Sequence, residues 1–240
     1  MRIELGCLLI AAAAVLAADH GRTCIAQAPP TIESELRRYG IQPTQSGLQS
    51  ALKDSRPEAR SLAAGELGSM KDMASIPLIA EALEKEKDQL VRLNMAAALV
   101  RLNSPVGKRS LLQICGDSSQ PHDLRLSAAL RLFDAGDPGC LSPVENILEK
   151  TKDPTTKISA LLMLARVKPI PESLVPRIHD TLLANLTDPT AAVRQYAARC
   201  ISSLGDKAAA ASLRIAISNE SDGVTRGHMV ESLKALEDRP

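Results

Sequence analysis

The stretch Asp188–Leu204, DPTAAVRQYAARCISSL, decides how this chain folds. Counting from Arg194, apolar side chains stand three, seven and ten positions on, at Ala197, Ile201 and Leu204. Those intervals mark one stripe on a helix of 3.6 residues per turn. Asp188-Pro189 ahead of it reads as a helix start, because a proline in the first turn has no amide to leave unpaired.

The same frame recurs along the chain. Aligned on a basic anchor, six windows fall into register at Arg60, Arg92, Arg125, Lys157, Arg194 and Arg226, about every 33 residues with one longer step after Lys157. Three positions after the anchors stand Ala63, Met95, Ala128, Ala160, Ala197 and Met229. Seven after stand Leu67, Leu99, Leu132, Leu164, Ile201 and Leu233, and ten after stand Met70, Leu102, Ala135, Val167, Leu204 and Leu236. A second apolar helix precedes five of these windows, at Ile79–Leu83, Leu111–Ile114, Val144–Leu148, Ile178–Leu186 and Leu213–Ile217. Turn and cap residues join the members of a pair, as at Asp54-Ser55-Arg56-Pro57, Asp153-Pro154 and Asn219-Glu220-Ser221-Asp222. Such units bury their apolar stripes against the next unit and so make one continuous core.

Composition agrees. Aromatic residues are 1% of the 240, at Tyr39, Phe133 and Tyr196, and Ala and Leu carry the apolar load. Sheets favour aromatic and β-branched side chains, whereas Ala and Leu are strong helix formers. The expected fold is all-α, a right-handed α-solenoid of about six antiparallel helix pairs.

Asp54–Gly68 (DSRPEARSLAAGELG) and Asp188–Leu204 resemble HEAT-like repeats, an armadillo-type superhelix whose second helix reads D-x-x-x-V-R-x-x-A-A-x-x-L-G. The likeness extends over residues 46–240. It implies that an acidic residue and the basic anchor staple neighbouring repeats, here Asp54, Asp88, Asp153, Asp188 and Asp222. Residues 29–45 are expected to hold an N-terminal capping helix over Thr31–Tyr39, with Thr31 as N-cap. Glu231, Lys234, Glu237 and Asp238 give the last helix a polar outer face, as a terminal repeat requires.

Residues 1–28 read as a signal peptide and short linker. Leu5–Ala18 is an unbroken apolar run of 14 residues, short of the roughly 20 a membrane span needs. Cleavage after Ala17 is preferred to cleavage after Ala28, which Pro29 follows. An exported protein is expected, periplasmic or extracellular, with no membrane span once the signal is removed. Cys24, Cys115, Cys140 and Cys200 show no CxxC spacing and are expected to be small buried apolar residues rather than a disulfide scaffold or zinc site.

Chemistry is scarce. The formal charge is +1, with 29 basic against 28 acidic residues, so nothing draws a nucleic-acid backbone. Deoxyhypusine hydroxylases of the resembling family hold di-iron through His-Glu dipeptides. Here the histidines read His20-Gly21, His122-Asp123, His179-Asp180 and His228-Met229. No catalytic residue, cofactor or metal site is expected. One, five and eight positions after the anchor, the central windows carry an apolar stripe that includes Leu93, Val100, Leu126, Leu130, Phe133, Ile158 and Leu162. The outer windows are small or polar there. The expected function is a non-enzymatic scaffold that takes a protein or peptide partner on its concave face. The alternative is an accessory subunit or enzyme of the lyase or hydroxylase type.

Overall fold

Each second helix starts three positions before its anchor, and four of the six stop on the same residue of the repeat. Asp88 accepts the amides of Leu90 and Val91, Asp153 that of Thr156, and Asp222 that of Thr225. Such an N-cap contributes about 1 kcal/mol. At the other end, Lys71, Asn103, Gly136 and Gly205, each eleven positions after an anchor, take a positive φ. The next residue then donates its amide back to the carbonyl of the buried seventh position: Asp72 to Leu67, Ser104 to Leu99, Asp137 to Leu132 and Asp206 to Ile201. This left-handed stop sets the helix length.

The computed structural model describes residues 31–167 and 170–239; the signal sequence expected over residues 1–28 lies outside them. After a short α1 (Ile32–Arg38, N-capped by Thr31) come six helix pairs in chain order. They are α2 (Gln45–Ala51) with α3 (Pro57–Ser69), α4 (Ile76–Lys85) with α5 (Gln89–Arg101), and α6 (Pro105–Gly116) with α7 (His122–Asp134). Then come α8 (Leu141–Lys150) with α9 (Pro154–Leu164), α10 (Val175–Asn185) with α11 (Ala191–Leu204), and α12 (Ala210–Asn219) with α13 (Gly223–Glu237). Every element among the described residues is helical or a turn. The architecture is an all-α solenoid.

Successive second helices pack against one another from α3 to α13, while successive first helices touch sparsely. The second-helix layer is therefore the short, inner side of the curve. Positions three and seven form the core as expected, except that Leu233 in the terminal pair is only partly buried. Position ten departs twice: Met70 is 50% exposed and Ala135 is open. Both sit at the helix end, where the stripe runs past the neighbour that would cover it.

The staple between repeats uses the expected Asp188, opposite Lys157, but elsewhere differs from the expectation in its acidic partner. Arg60 grips Glu86 of the next pair at 2.6 and 2.9 Å, and Arg194 grips Glu220 at 2.6 and 2.7 Å. Lys157 reaches Asp188 at 2.5 Å. Asp88, Asp153 and Asp222 are spent on capping, so the carboxylate two residues before the cap position makes the rung. Asp54 pairs with Arg56 within its own turn. For the same reason α11 starts later than Asp188-Pro189 suggests: Asp188 faces Lys157, and Thr190 is the residue before the helix. Among the described residues Arg92 and Arg125 reach only backbone carbonyls, of Leu83 and Glu86 and of Cys115.

The cysteine expectation is corrected. Cys115 and Cys140 form a disulfide, with Cα atoms 6.1 Å apart, and among the described residues Cys200 stays free and buried. Cys140 lies fifteen positions after Arg125, where other repeats place Ser75, Gly107 and Ala209, all buried. Where Gly107 stands, the first helix meets α5 so closely that only a small residue fits. A Cβ on Gly107 would lie 2.5 Å from the Ala96 carbonyl oxygen and 2.7 Å from the Val100 nitrogen. In the first repeat Gln49 donates to Ser75 there at 2.8 Å, so the disulfide takes the place of a hydrogen bond. Closing a loop of this size contributes about 3 kcal/mol in the chain-entropy account.

Two outcomes are expected. Gly107→Ala meets backbone that cannot yield and costs about 1–3 kcal/mol, seen as a melting temperature several degrees lower, whereas Gly65→Ala, with open space around it, holds or raises it. The guanidiniums of Arg60 and Arg194 hold the Glu86 and Glu220 carboxyls below their ordinary value. Their stabilisation is complete above the unfolded carboxylate pKa of about 4.3 and is lost as pH falls through the depressed values. In urea titrations from pH ~6 to ~2.5, Glu86→Gln and Glu220→Gln together flatten that acid loss.

Candidate interaction surface

On an inner helix the side chains opposite the core stripe must look out of the concave face. The open positions are two before the anchor and two, five and nine after it. On α5 these are Leu90, Asn94, Ala97 and Arg101; on α7, Asp123, Ser127, Leu130 and Asp134; on α9, Thr155, Ser159, Leu162 and Arg166; on α11, Ala192, Tyr196, Arg199 and Ser203. All but Ala97 are half-buried or exposed.

This face and the apolar stripe read from sequence overlap only partly. Leu93, Leu126 and Phe133 are 2%, 4% and 6% exposed and belong to the core. Val100 and Ile158 are half-buried against it, and Leu130 is half-buried. Leu162, at 37%, is open. The predicted stripe lies roughly 60° around the helix from the observed one, since each residue turns the helix by about 100°. That rotation carries positions one and eight into the seam with the adjoining repeat.

What sequence reading missed is the charge on this face. Arg101, Arg131 and Arg199, from α5, α7 and α11, and Arg166, just beyond α9, are all exposed. Arg166 reaches back to Asp134 of the preceding pair at 2.5 Å. The balanced total charge hid the row, because its members occupy positions nine, six, nine and five and share no single register. Asn94, in the same layer, donates to Ser61 of the first pair at 2.8 Å and ties the inner helices together.

Elsewhere polar groups serve the scaffold. His179 Nδ1 lies 2.7 Å from Asp206 of the next pair. Glu145 is fully buried between α8 and α10, where burial pushes its carboxyl up although Arg177 stands 3.2 Å from Oε2. That Oε2 makes no well-aligned hydrogen bond, so the pair is a charge contact. Among the described residues no three His, Cys, Asp or Glu side chains gather closely enough to hold a metal ion. On the outer side, where first helices splay, crevices open between α2 and α4 (about 920 Å³, with Leu78 and Ala82) and between α10 and α12 (about 600 Å³, with Ile215 and Ala216).

The model of HEAT repeats matches residues 46–132 and 141–234. Among solved structures, the chain is similar to human deoxyhypusine hydroxylase in complex with glycerol, at 18% identity and a TM-score of 0.43, over 85% of this chain and 88% of that one. It is also similar to a chain of the CpcE–CpcF complex of phycocyanin lyase from Nostoc sp. PCC7120, at 16% identity and a TM-score of 0.49, over 66% of this chain and 98% of that one. A third is a chain from a structural study of microtubule plus end tracking by XMAP215, CLIP-170 and EB1, at 14% identity and a TM-score of 0.45, over 78% of this chain and 88% of that one. These likenesses concern the fold alone. No curated protein matches the chain significantly.

Leu93→Glu places a charge in the core and is expected to abolish cooperative melting or lower it steeply, by the equivalent of about 4 kcal/mol or more. Leu162→Glu, on the open face, is expected to leave the melting temperature within a few degrees of the parent, as scanning calorimetry of both variants will read.

Proposed function

The chain belongs to the HEAT repeat family, and from that premise we propose that it is an exported, non-enzymatic scaffold whose concave face binds a segment of another protein. The observation that carries this reading is the open row on the inner helices, which runs through four successive repeats and mixes Leu130, Leu162 and Tyr196 with arginines. A surface that combines apolar side chains with arginine and a tyrosine suits a polypeptide, which brings apolar and polar groups in alternation. Three aromatics in 240 residues give no stacking platform for bases.

Export is supported by the Cys115–Cys140 disulfide. Such bonds form and persist in oxidising compartments and are rare where glutathione keeps thiols reduced. The apolar run Leu5–Ala18 has the length of a secretory signal. No helix among the described residues is long and apolar enough to cross a membrane.

The test is site-specific photo-cross-linking in the native host, with the cross-linker at Leu162 on the inner face or at Ile215 in the outer crevice. A discrete polypeptide adduct from position 162, absent from position 215, is expected. Adducts from 215 alone, or protein that purifies with a stoichiometric metal or chromophore, would overturn the reading in favour of another face or of an enzyme.

A further inference from the structure

We propose that the polypeptide taken by the concave face is acidic, its carboxylates lying along the row Arg101, Arg131, Arg166 and Arg199 and its apolar side chains against Leu130 and Leu162. This rests on the concave-face reading above and adds the chemistry of the partner.

Charges of both signs face the groove. Along the last turns of the inner helices stand Glu66 from α3, Arg101 from α5, Arg131 and Asp134 from α7, Arg166 just beyond α9 and Arg199 from α11. Asp134 is committed to Arg166. Among the described residues Arg101, Arg131 and Arg199 have no ion pair, and Glu66 is the remaining carboxylate near the row. The opposite rim, at the first turns, carries Glu58 and Asp123, and α13 adds His228 and Glu231. The groove is therefore polarised, basic along one edge over its central four repeats and acidic at the other edge.

Arg101 and Arg131 bear on each other as well. Arg101 is open to solvent yet hemmed in by the walls of a concave face. The crowding first, and then the charge of Arg131, push its guanidinium below the ordinary value, while Glu66 pulls the other way. Two like charges held side by side in a partly desolvated concavity are a cost that a bound anion removes. Arginine also matches the planar carboxylate with paired donors, which a point charge does not. Leu130 and Leu162 stand in register on the same inner layer, five positions after successive anchors. A nucleic acid offers anions without apolar side chains and would leave both leucines uncovered. A basic peptide would add to the repulsion already present.

The experiment is fluorescence anisotropy on the full mature chain with three labelled peptides of repeating X-X-Leu-Leu, where X is Glu, Gln or Lys, and a labelled single-stranded oligothymidine. The Glu peptide is expected to bind, with affinity falling steeply with salt, and to lose roughly tenfold or more in Arg101→Glu/Arg131→Glu. Arg109→Glu, on the outer helix α6, is expected to leave it unchanged. The double variant is expected to keep its helical circular dichroism and melting temperature, because both side chains stand exposed on the surface. Equal binding of the Gln peptide, tighter binding of the oligothymidine, or no binding of the Glu peptide would each overturn the acidic assignment. The cross-link from Leu162 is read independently, so those results leave the concave-face reading standing, and loss of that cross-link with peptide binding intact would do the reverse.

Discussion

Everything in this molecule depends on how closely successive inner helices approach. Their facing positions are small: Ala63 and Ala64, Ala96 and Ala98, Ala128 and Ala129, Ala160, Ala197 and Ala198 are all fully buried. Alanine costs no side-chain entropy on burial and lets two backbones come near. The leucines of the seventh position then fill the space between layers. Because the inner helices close up and the outer ones do not, the array curves, and the concave face with its exposed row is a geometric result of alanine placement.

Each seam between pairs is fastened by its own device. The first uses Arg60 with Glu86, the fourth Lys157 with Asp188 and the fifth Arg194 with Glu220. Between the second and third pairs, where Arg92 reaches no carboxylate, α5 and α6 make their closest approach at Gly107. Between the third and fourth, where Arg125 bonds only a carbonyl and Thr151 occupies the place of Glu86 or Glu220, the disulfide spans the gap. A buried ion pair adds little net stability but is costly to break singly, so the rungs hold register more than they add strength.

The repeat, its period and its core stripe were legible because burial against identical neighbours forces the same spacing on each unit. Ala160 and Leu132 could be placed from sequence alone. What escaped depends on relations between units. Cys115 and Cys140 pair because position fifteen of one repeat meets the preceding first helix, a contact no cysteine spacing encodes. The rung fell on Glu86 and Glu220 rather than Asp88 and Asp222 because one carboxylate cannot both cap a helix and cross a seam. Leu93, Leu126 and Phe133 looked like surface because a helical wheel drawn for one repeat ignores the next. Leu162 and Leu130 lie on its far side and kept their place on the open face.

The disulfide has a consequence for force. In a linear array each unit holds only to its neighbours, so traction on the two ends peels terminal pairs first. The 25-residue span from Cys115 to Cys140 is tethered at both ends and cannot pay out its length. Under load tension passes from sulfur to sulfur, so the enclosed α7 is bypassed like a slack loop beside a taut line while the pairs on either side give way.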